Sequence, residues 1–338
     1  MSENLEMATK AGRNPKALDR RTLLSFATAG LSATVFGQQA TEPREKGPLV
    51  WLDMDQKQLD DAYTQAVYAP NLRQIMGRWA TNGEITRQRI GPPHRVAYGP
   101  TPVESLDIYQ AKRTNAPILV FVHGGAWRQS SGQDYGGFAA EVFVRAGAHY
   151  VVLDFISVDE AGGSLMPMAD QVRRAVAWLY HNARSFGGDA NRLYVAGHSS
   201  GAHLAGVVLV TDWVNEFNLP SDVVKGALCC SGMYDLKPVR LSVRSSYIKF
   251  TDEMEQALSS QRHLNKLVCP VTVAYGTLET PEFQRQSREF ASAVKAAGKA
   301  AQLLVGNGYN HFEILETLGN PYGLLGRAAL DLMGLAQV

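Results

Sequence analysis

The stretch that decides the fold of this chain reads Gly197-His198-Ser199-Ser200-Gly201. A short apolar run at 192–196 precedes it, and a longer run at 202–210 with helical character follows it. A strand, a G-x-S-x-G turn and then a helix are the context of a nucleophile elbow, in which a strained turn exposes the serine hydroxyl. The helix also directs free N–H groups toward any anion that forms there. The pattern therefore predicts that Ser199 is a nucleophile.

Strands and helices alternate on both sides of this turn. We predict strands at 103–109, 117–123, 149–155, 193–196, 226–230, 271–275 and 302–305. We predict helices at 56–83 with a break near 69–70, and at 135–146, 170–185, 281–297 and 312–333. This alternation favours an α/β fold, with a mostly parallel sheet and helices on both faces. The strand at 103–109 alternates in polarity and is predicted to be half-exposed, whereas the apolar run at 117–123 is typical of a central strand.

Composition and charge exclude several function classes. The chain has 338 residues, 45% of them hydrophobic, and a formal net charge of +1, which gives no electrostatic case for a nucleic-acid partner. Its three cysteines form neither a disulfide framework nor a zinc spacing, and Cys229 and Cys230 are predicted to be buried. The H-E-x-x-H and P-loop patterns are absent. We therefore expect an enzyme without a cofactor or a metal ion.

The N-terminal residues differ in composition from the rest. Arg20 and Arg21 precede an uncharged run at 22–36, which is shorter than the about 20 residues that span a bilayer. This pattern predicts a twin-arginine-type export signal and linker within residues 1–40, without stable membrane insertion. The protein is then periplasmic or secreted, or cytoplasmic if this segment is not a signal. Residues 46–338 are predicted to form the catalytic domain.

A second glycine-rich turn follows the strand at 117–123. It reads His123-Gly124-Gly125-Ala126-Trp127. Glycines at this place let backbone N–H groups approach a carbonyl oxygen, as an oxyanion hole requires. We predict that the donors are the amides of Gly125, Ala126 and Ser200, and that His123 has a structural role in the loop.

The general base and the acid that orients it are expected after the last two strands. His311 follows the strand at 302–305 and is the predicted base. Glu279 follows the strand at 271–275 and is the preferred acid; Asp235 and Glu282 remain the alternatives. The chain order Ser199, Glu279, His311 is that of the α/β-hydrolases.

At this point the chain resembles the kynurenine formamidases (arylformamidases) of the α/β-hydrolase superfamily. The resemblance rests on the two glycine-rich turns, on Pro281-Glu282-Phe283-Gln284-Arg285-Gln286-Ser287, and on similar stretches at 62–72 and 98–100. It covers roughly residues 55–330. The chain departs from the family in having Glu at the acid position, where Asp is frequent, and in its export signal.

The resemblance implies the α/β-hydrolase fold and a serine hydrolase that cleaves an aryl formamide such as N-formylkynurenine. The alternative is an exported carboxylesterase or arylamidase for small aromatic esters, amides or carbamates. A binding protein on an inactive hydrolase fold is a third hypothesis, which an intact triad disfavours. Candidates for an aromatic pocket are Trp127, Phe312, Tyr234 and Phe155, with Trp127 closing a narrow acyl side. The segment 232–266 is expected to carry loops or short helices over the strand ends; its role as a lid and the oligomeric state stay open.

Overall fold

Residues 45–336 fold around two β-sheets, one of two strands and one of eight. The computed structural model describes residues 45–336, so the export signal predicted within residues 1–40 lies outside the described residues. The strands are β1 Leu49–Trp51, β2 Met54–Asp55, β3 His94–Ala97, β4 Ser105–Tyr109, β5 Ala116–Val122, β6 His149–Leu153, β7 Gly188–His198, β8 Ala227–Cys230, β9 Val271–Gly276 and β10 Ala301–Gly306. β1 and β2 form the small antiparallel sheet.

Helices connect most of the strands. They are α1 Gln56–Ala62, α2 Gln65–Tyr68, α3 Leu72–Ile90, α4 Gln133–Gly136, α5 Ala140–Arg145, α6 Met166–Asn182, α7 Ser200–Leu209, α8 Trp213–Phe217, α9 Lys237–Leu241, α10 Asp252–Leu258, α11 Pro281–Ala296, α12 Glu313–Glu316 and α13 Leu324–Leu332. Short 3-10 helices lie at Gly137–Ala139, Ala183–Phe186, Val243–Ser246, Ser260–Lys266 and Thr317–Gly319. Within residues 45–336, no helix combines the length and apolar character needed to cross a bilayer.

The large sheet has the strand order β10-β9-β8-β7-β5-β6-β4-β3. Neighbouring strands from β10 to β6 run parallel, whereas β4 and β3 join the sheet antiparallel. After β5, the chain forms β6 on one side and then returns past β5 to form β7 on the other. Such a reversal of strand order opens a crevice at the carboxyl ends of the strands, where open α/β sheets bind their ligands.

The two faces of the sheet bury two separate hydrophobic cores. Ile118, Val120 and Val122 of β5 belong to one core, and Leu119 and Phe121 belong to the other. Helices α6, α7 and α11 contribute to the first core, and α3, α5 and α13 contribute to the second. Burial on both faces explains why β5 is apolar throughout. The predicted mostly parallel sheet with helices on both faces is confirmed.

Several details differ from the prediction. The strand predicted as half-exposed is buried at all five residues of β4, since β3 and β6 flank it and Arg95 binds Asp107 at 2.9 Å. The helix predicted at 312–333 is broken between α12 and α13, where Pro321 cannot continue it. The helix predicted at 135–146 is likewise divided into α4 and α5. The edge strand β3 was not predicted.

Other expectations are confirmed. The break near residues 69–70 separates α2 from α3, and the segment 232–266 consists of α9, α10, two 3-10 helices and loops. Cys229, Cys230 and Cys269 are all free and buried. Burial raises the pKa of the Cys269 thiol to about 12, which makes this thiol unreactive at neutral pH.

Candidate active site

Ser199 lies at the sharp turn between β7 and α7. Its backbone has φ 58° and ψ −126°, a left-handed conformation that non-glycine residues seldom adopt. The turn is held because the Ser199 amide donates to the carbonyl of Cys230 at 2.9 Å. A Cβ atom on Gly201 would lie 2.1 Å from the carbonyl oxygen of Val122, so only glycine allows this approach of helix to strand. The strand, turn and helix predicted from the sequence are all present.

His311 and Glu279 lie together at the carboxyl ends of β10 and β9. The Nδ1 atom of His311 is 2.8 Å from Oε2 of Glu279, and both side chains are buried. The His311 ring centroid is 4.6 Å from that of His198, the residue before Ser199. With Nδ1 engaged by the carboxylate, Nε2 is the ring nitrogen that remains to exchange a proton with a substrate or a nucleophile.

Two neutral donors hold the other oxygen of Glu279. The Ser231 hydroxyl and the Gly276 amide each donate to Oε1 at 2.6 Å. Ser231 directly follows β8 and has a positive φ of 55°. These bonds fix the carboxylate without giving it a counter-ion, so its charge remains available to an imidazolium. Ser231 was missed from the sequence, although its place directly after a buried strand was a usable signal.

The two alternative acids have other partners. Glu282 is fully buried, where it accepts from Tyr63 at 3.0 Å and from two nitrogens of Arg285 at 2.6 and 2.7 Å. Asp235 pairs with Arg262 at 2.8 Å. Of the three acids considered, the structure brings only Glu279 within hydrogen-bond distance of His311.

The glycine-rich turn after β5 has an unusual backbone. Gly125, Ala126 and Trp127 have φ values of 104°, 57° and 62°. The amide of Trp127 donates to Oγ of Ser200 at 3.2 Å, which ties this turn to the start of α7. In the described part of the chain, the amides of Gly125, Ala126 and Ser200 donate to no protein acceptor. These three amides are the ones predicted for an oxyanion hole.

Three other histidines surround the site and stay neutral. Burial lowers the pKa of His123 and that of His203 to about 4, and it lowers the pKa of His198 well below its usual range. His123 donates to the carbonyl of Gly124 at 2.8 Å, which agrees with its predicted structural role. His198 donates from Nε2 to the carbonyl of His311 at 2.8 Å and accepts from Tyr135. His198 therefore positions the backbone of the predicted base.

The predicted aromatic pocket needs correction. Trp127 is 1% exposed, and its indole N–H donates to His203 at 3.2 Å, so its side chain belongs to the core. Tyr234 is fully buried with its ring stacked on Phe290, and Phe155 is buried against the ring of His123. Aromatic side chains close to a site commonly pack in the core instead of lining a pocket. Phe312 alone of these candidates is partly exposed, with its ring 5.2 Å from that of His311.

This chain is similar to several known proteins. The family described as BD-FAE matches residues 106–293. A kynurenine formamidase of Danio rerio is 31% identical over 84% of this chain and 98% of its own length. The chain belongs to the kynurenine formamidase family. The predicted resemblance is confirmed.

Two further comparisons extend this result. A kynurenine formamidase of Salmo salar is 29% identical over 84% of this chain and 98% of its own length. The solved structure of an esterase from Pyrobaculum calidifontis has a TM-score of 0.61 at 17% identity and covers 83% of this chain and 99% of its own. The fold of this formamidase-family chain is therefore the α/β-hydrolase fold, and the chain is a hydrolase-type enzyme.

Proposed function

We propose that this chain is a serine hydrolase that cleaves an aryl formamide, with N-formylkynurenine as its substrate. The observation that carries the proposal is the 2.8 Å contact between His311 Nδ1 and Glu279. The His311 ring packs on that of His198, which directly precedes Ser199 on its strained turn. The names of the two fish relatives supply the substrate class. The proposed catalytic residues are Ser199, His311 and Glu279.

In the first half of the reaction, the Ser199 hydroxyl attacks the formyl carbon while His311 Nε2 takes its proton. The carbonyl oxygen becomes an oxyanion, which the amides of Gly125, Ala126 and Ser200 stabilise. Collapse of this intermediate breaks the C–N bond, and His311 gives its proton to the leaving aryl amine. The products at this stage are the free amine and a formyl ester on Ser199.

In the second half, a water molecule attacks the formyl ester, and His311 takes one of its protons. The second tetrahedral intermediate uses the same three amides. Its collapse breaks the bond to Oγ, His311 returns the proton to Ser199, and formate leaves. Glu279 keeps the imidazole in the required tautomer and stabilises the imidazolium in both halves, without becoming protonated itself.

A carboxylesterase is the second candidate, because the site has the groups that ester cleavage needs and the fold is shared with an esterase. The test is kcat/KM for N-formylkynurenine against p-nitrophenyl esters and anilides of increasing acyl length. We expect the formamide to be preferred and the rate to fall steeply from acetyl to butyryl, since a site that fits a formyl group is overpacked by a longer acyl chain, and overpacking costs about 1–3 kcal/mol. A preference for butyryl or longer esters would instead establish the carboxylesterase.

We also propose that the twin-arginine pattern at Arg20 and Arg21 directs export of this hydrolase. Changing both residues to Lys should retain the protein in the cytoplasm with its N-terminus uncleaved. Unmutated protein found in the cytoplasm with residues 1–40 intact would contradict export.

A further inference from the structure

Arg244 is a half-buried arginine without a carboxylate partner. Within residues 45–336, it makes no ion pair, and its hydrogen bonds go to the hydroxyl of Tyr247 and, at 2.7 Å, to the carbonyl of Tyr63. Its Nε atom is buried and has no hydrogen-bond partner in the described part of the chain. A buried donor without an acceptor destabilises the folded protein, and it does so more strongly when the group is charged. Neighbouring arginines of the same segment differ, because Arg240 and Arg262 each bind Glu255.

The two partners of Arg244 connect it to both sides of the candidate active site. The Tyr247 hydroxyl donates to the carbonyl of Ala126 at 3.3 Å, on the proposed oxyanion turn. The Tyr63 ring lies 5.8 Å from that of Phe283, which in turn lies 5.0 Å from the ring of His311. Arg244 therefore bridges a residue that contacts the oxyanion turn and a residue that packs toward the base.

A second unpartnered group lies on the segment that Arg244 binds. Gln65 comes two residues after Tyr63 and is nine-tenths buried. Neither atom of its side-chain amide has a hydrogen-bond partner among the residues that the structure describes. The same segment continues to Asn71, the residue before α3. Asn71 accepts a hydrogen bond at 2.9 Å from Asn310, which lies in the loop that carries His311. Gln65 is thus on a stretch fixed at one end to Arg244 and at the other to the residue before His311.

We propose that Arg244, assisted by Gln65, is a subsite that binds a carboxylate on the leaving group of the substrate. A guanidinium with a free Nε and an amide N–H are donors of the kind that a carboxylate accepts. The inference rests on the proposed function, because a formyl group has no substituent and any anionic group must be on the amine side. It names Arg244 as a residue that determines specificity, beyond the catalytic groups.

The test uses N-formylkynurenine and its methyl ester; esterification removes the charge of the carboxyl group and adds one methyl group. Arg244→Gln should lower kcat/KM for the acid by roughly ten- to a hundredfold, mainly through KM, because hydrogen bonds to charged groups contribute that much. The ester should change by less than about threefold. Equal losses on both substrates would show a structural role and overturn the subsite.

The matched control is Arg128→Gln. Arg128 lies 5.1 Å from the same Tyr247 ring, but it is exposed and paired with Asp159. We expect this variant to change kcat/KM for the acid and for the ester by the same factor. An effect equal to that of Arg244→Gln would show that any positive charge nearby favours the acid, and would overturn a specific subsite at Arg244. If Arg244→Gln does not fold, Arg244→Lys replaces it; this variant keeps the charge but loses the planar fork, so part of the preference for the acid should remain.

Gln65→Met separates binding from stability. Removing a buried polar group that has no partner should leave the melting temperature unchanged or raise it. The same change should raise KM for the acid and leave KM for the methyl ester unchanged. A lower melting temperature with equal KM effects on both substrates would contradict the role of Gln65.

A binding measurement separates this inference from the formamidase proposal. Kynurenine and kynurenine methyl ester are compared as inhibitors of p-nitrophenyl acetate hydrolysis, an assay that does not need formamide cleavage. Wild-type enzyme should bind kynurenine at least about tenfold more tightly than its ester, and Arg244→Gln should abolish the difference. Equal inhibition of wild-type enzyme by both compounds would overturn the subsite, whereas absent turnover of N-formylkynurenine would overturn only the formamidase.

Discussion

The loop after β9 and the first turn of α11 each bury a glutamate, and the two carboxylates have opposite surroundings. Glu279 accepts from the Ser231 hydroxyl and the Gly276 amide and contacts His311. Glu282, three residues later, accepts hydrogen bonds from Nε and Nη2 of Arg285. A carboxylate that already has a permanent counter-ion stabilises an imidazolium only weakly. A carboxylate held by neutral donors stabilises it more strongly. Partners, and not burial, therefore distinguish the acid that we propose to orient the base from the acid that is paired with an arginine.

The largest effect is expected at Glu279. In Glu279→Gln, the amide oxygen still accepts from Ser231 and Gly276, so the amide nitrogen faces Nδ1 of His311 and favours the wrong tautomer. We expect kcat/KM to fall by roughly three to four decades, while Glu279→Asp retains measurable activity. Steady-state kinetics with thermal melts checks this. Near-normal activity of Glu279→Gln, or a greater loss in Asp235→Asn, would reassign the acid.

Glu282→Gln should show the opposite profile. The change leaves Arg285, whose side chain is 16% exposed, without its buried counter-ion. Breaking a buried ion pair costs about 3–5 kcal/mol, so the free energy of unfolding should fall by that order. In the protein that remains folded, kcat/KM should stay within about threefold of wild type. Denaturant melts and active-site titration measure the two quantities. A rate loss like that of Glu279→Gln would remove the contrast between the two acids.

Ser231→Ala is expected to lower the rate less than Glu279→Gln does, and it tests whether the neutral donors to Glu279 matter. It removes one of the two neutral donors to Glu279 and leaves the carboxylate less firmly oriented toward His311. A hydrogen bond to a charged group is worth about 1.5–3 kcal/mol, so we expect kcat to fall at least about tenfold with KM unchanged. Ser231→Thr keeps the hydroxyl and should recover part of the rate. An effect on stability alone would show that Ser231 supports the fold and not the acid.

Much of the fold and the site could be predicted because both depend on local patterns. Ser199, Glu279 and His311 each follow the end of an apolar strand, and parallel strands bring such ends to one edge. The break in the helix predicted at 312–333 could also have been predicted, since Pro321 and its neighbouring glycines are in the sequence.

What could not be predicted depends on contacts between distant segments. Ser231 reaches Glu279 across 48 positions, and Arg244 reaches Tyr63 across 181. Trp127 is the last residue of the glycine-rich turn after β5, and nothing in its local sequence tells whether its side chain faces a substrate or His203. The direction of such a side chain depends on how distant segments pack together, and the periodicity of the local sequence does not report that packing.

The measurement that tests the central claim most directly is the mass of the Ser199 peptide after rapid acid quenching of enzyme mixed with N-formylkynurenine. The account predicts that wild-type enzyme carries one formyl group on Ser199 during turnover and loses it when the substrate is consumed. Ser199→Ala should carry none and should lose several orders of magnitude in rate while it remains folded. Turnover of the formamide by Ser199→Ala at more than a few per cent of the wild-type rate, or a formyl group on another residue, would contradict the serine mechanism.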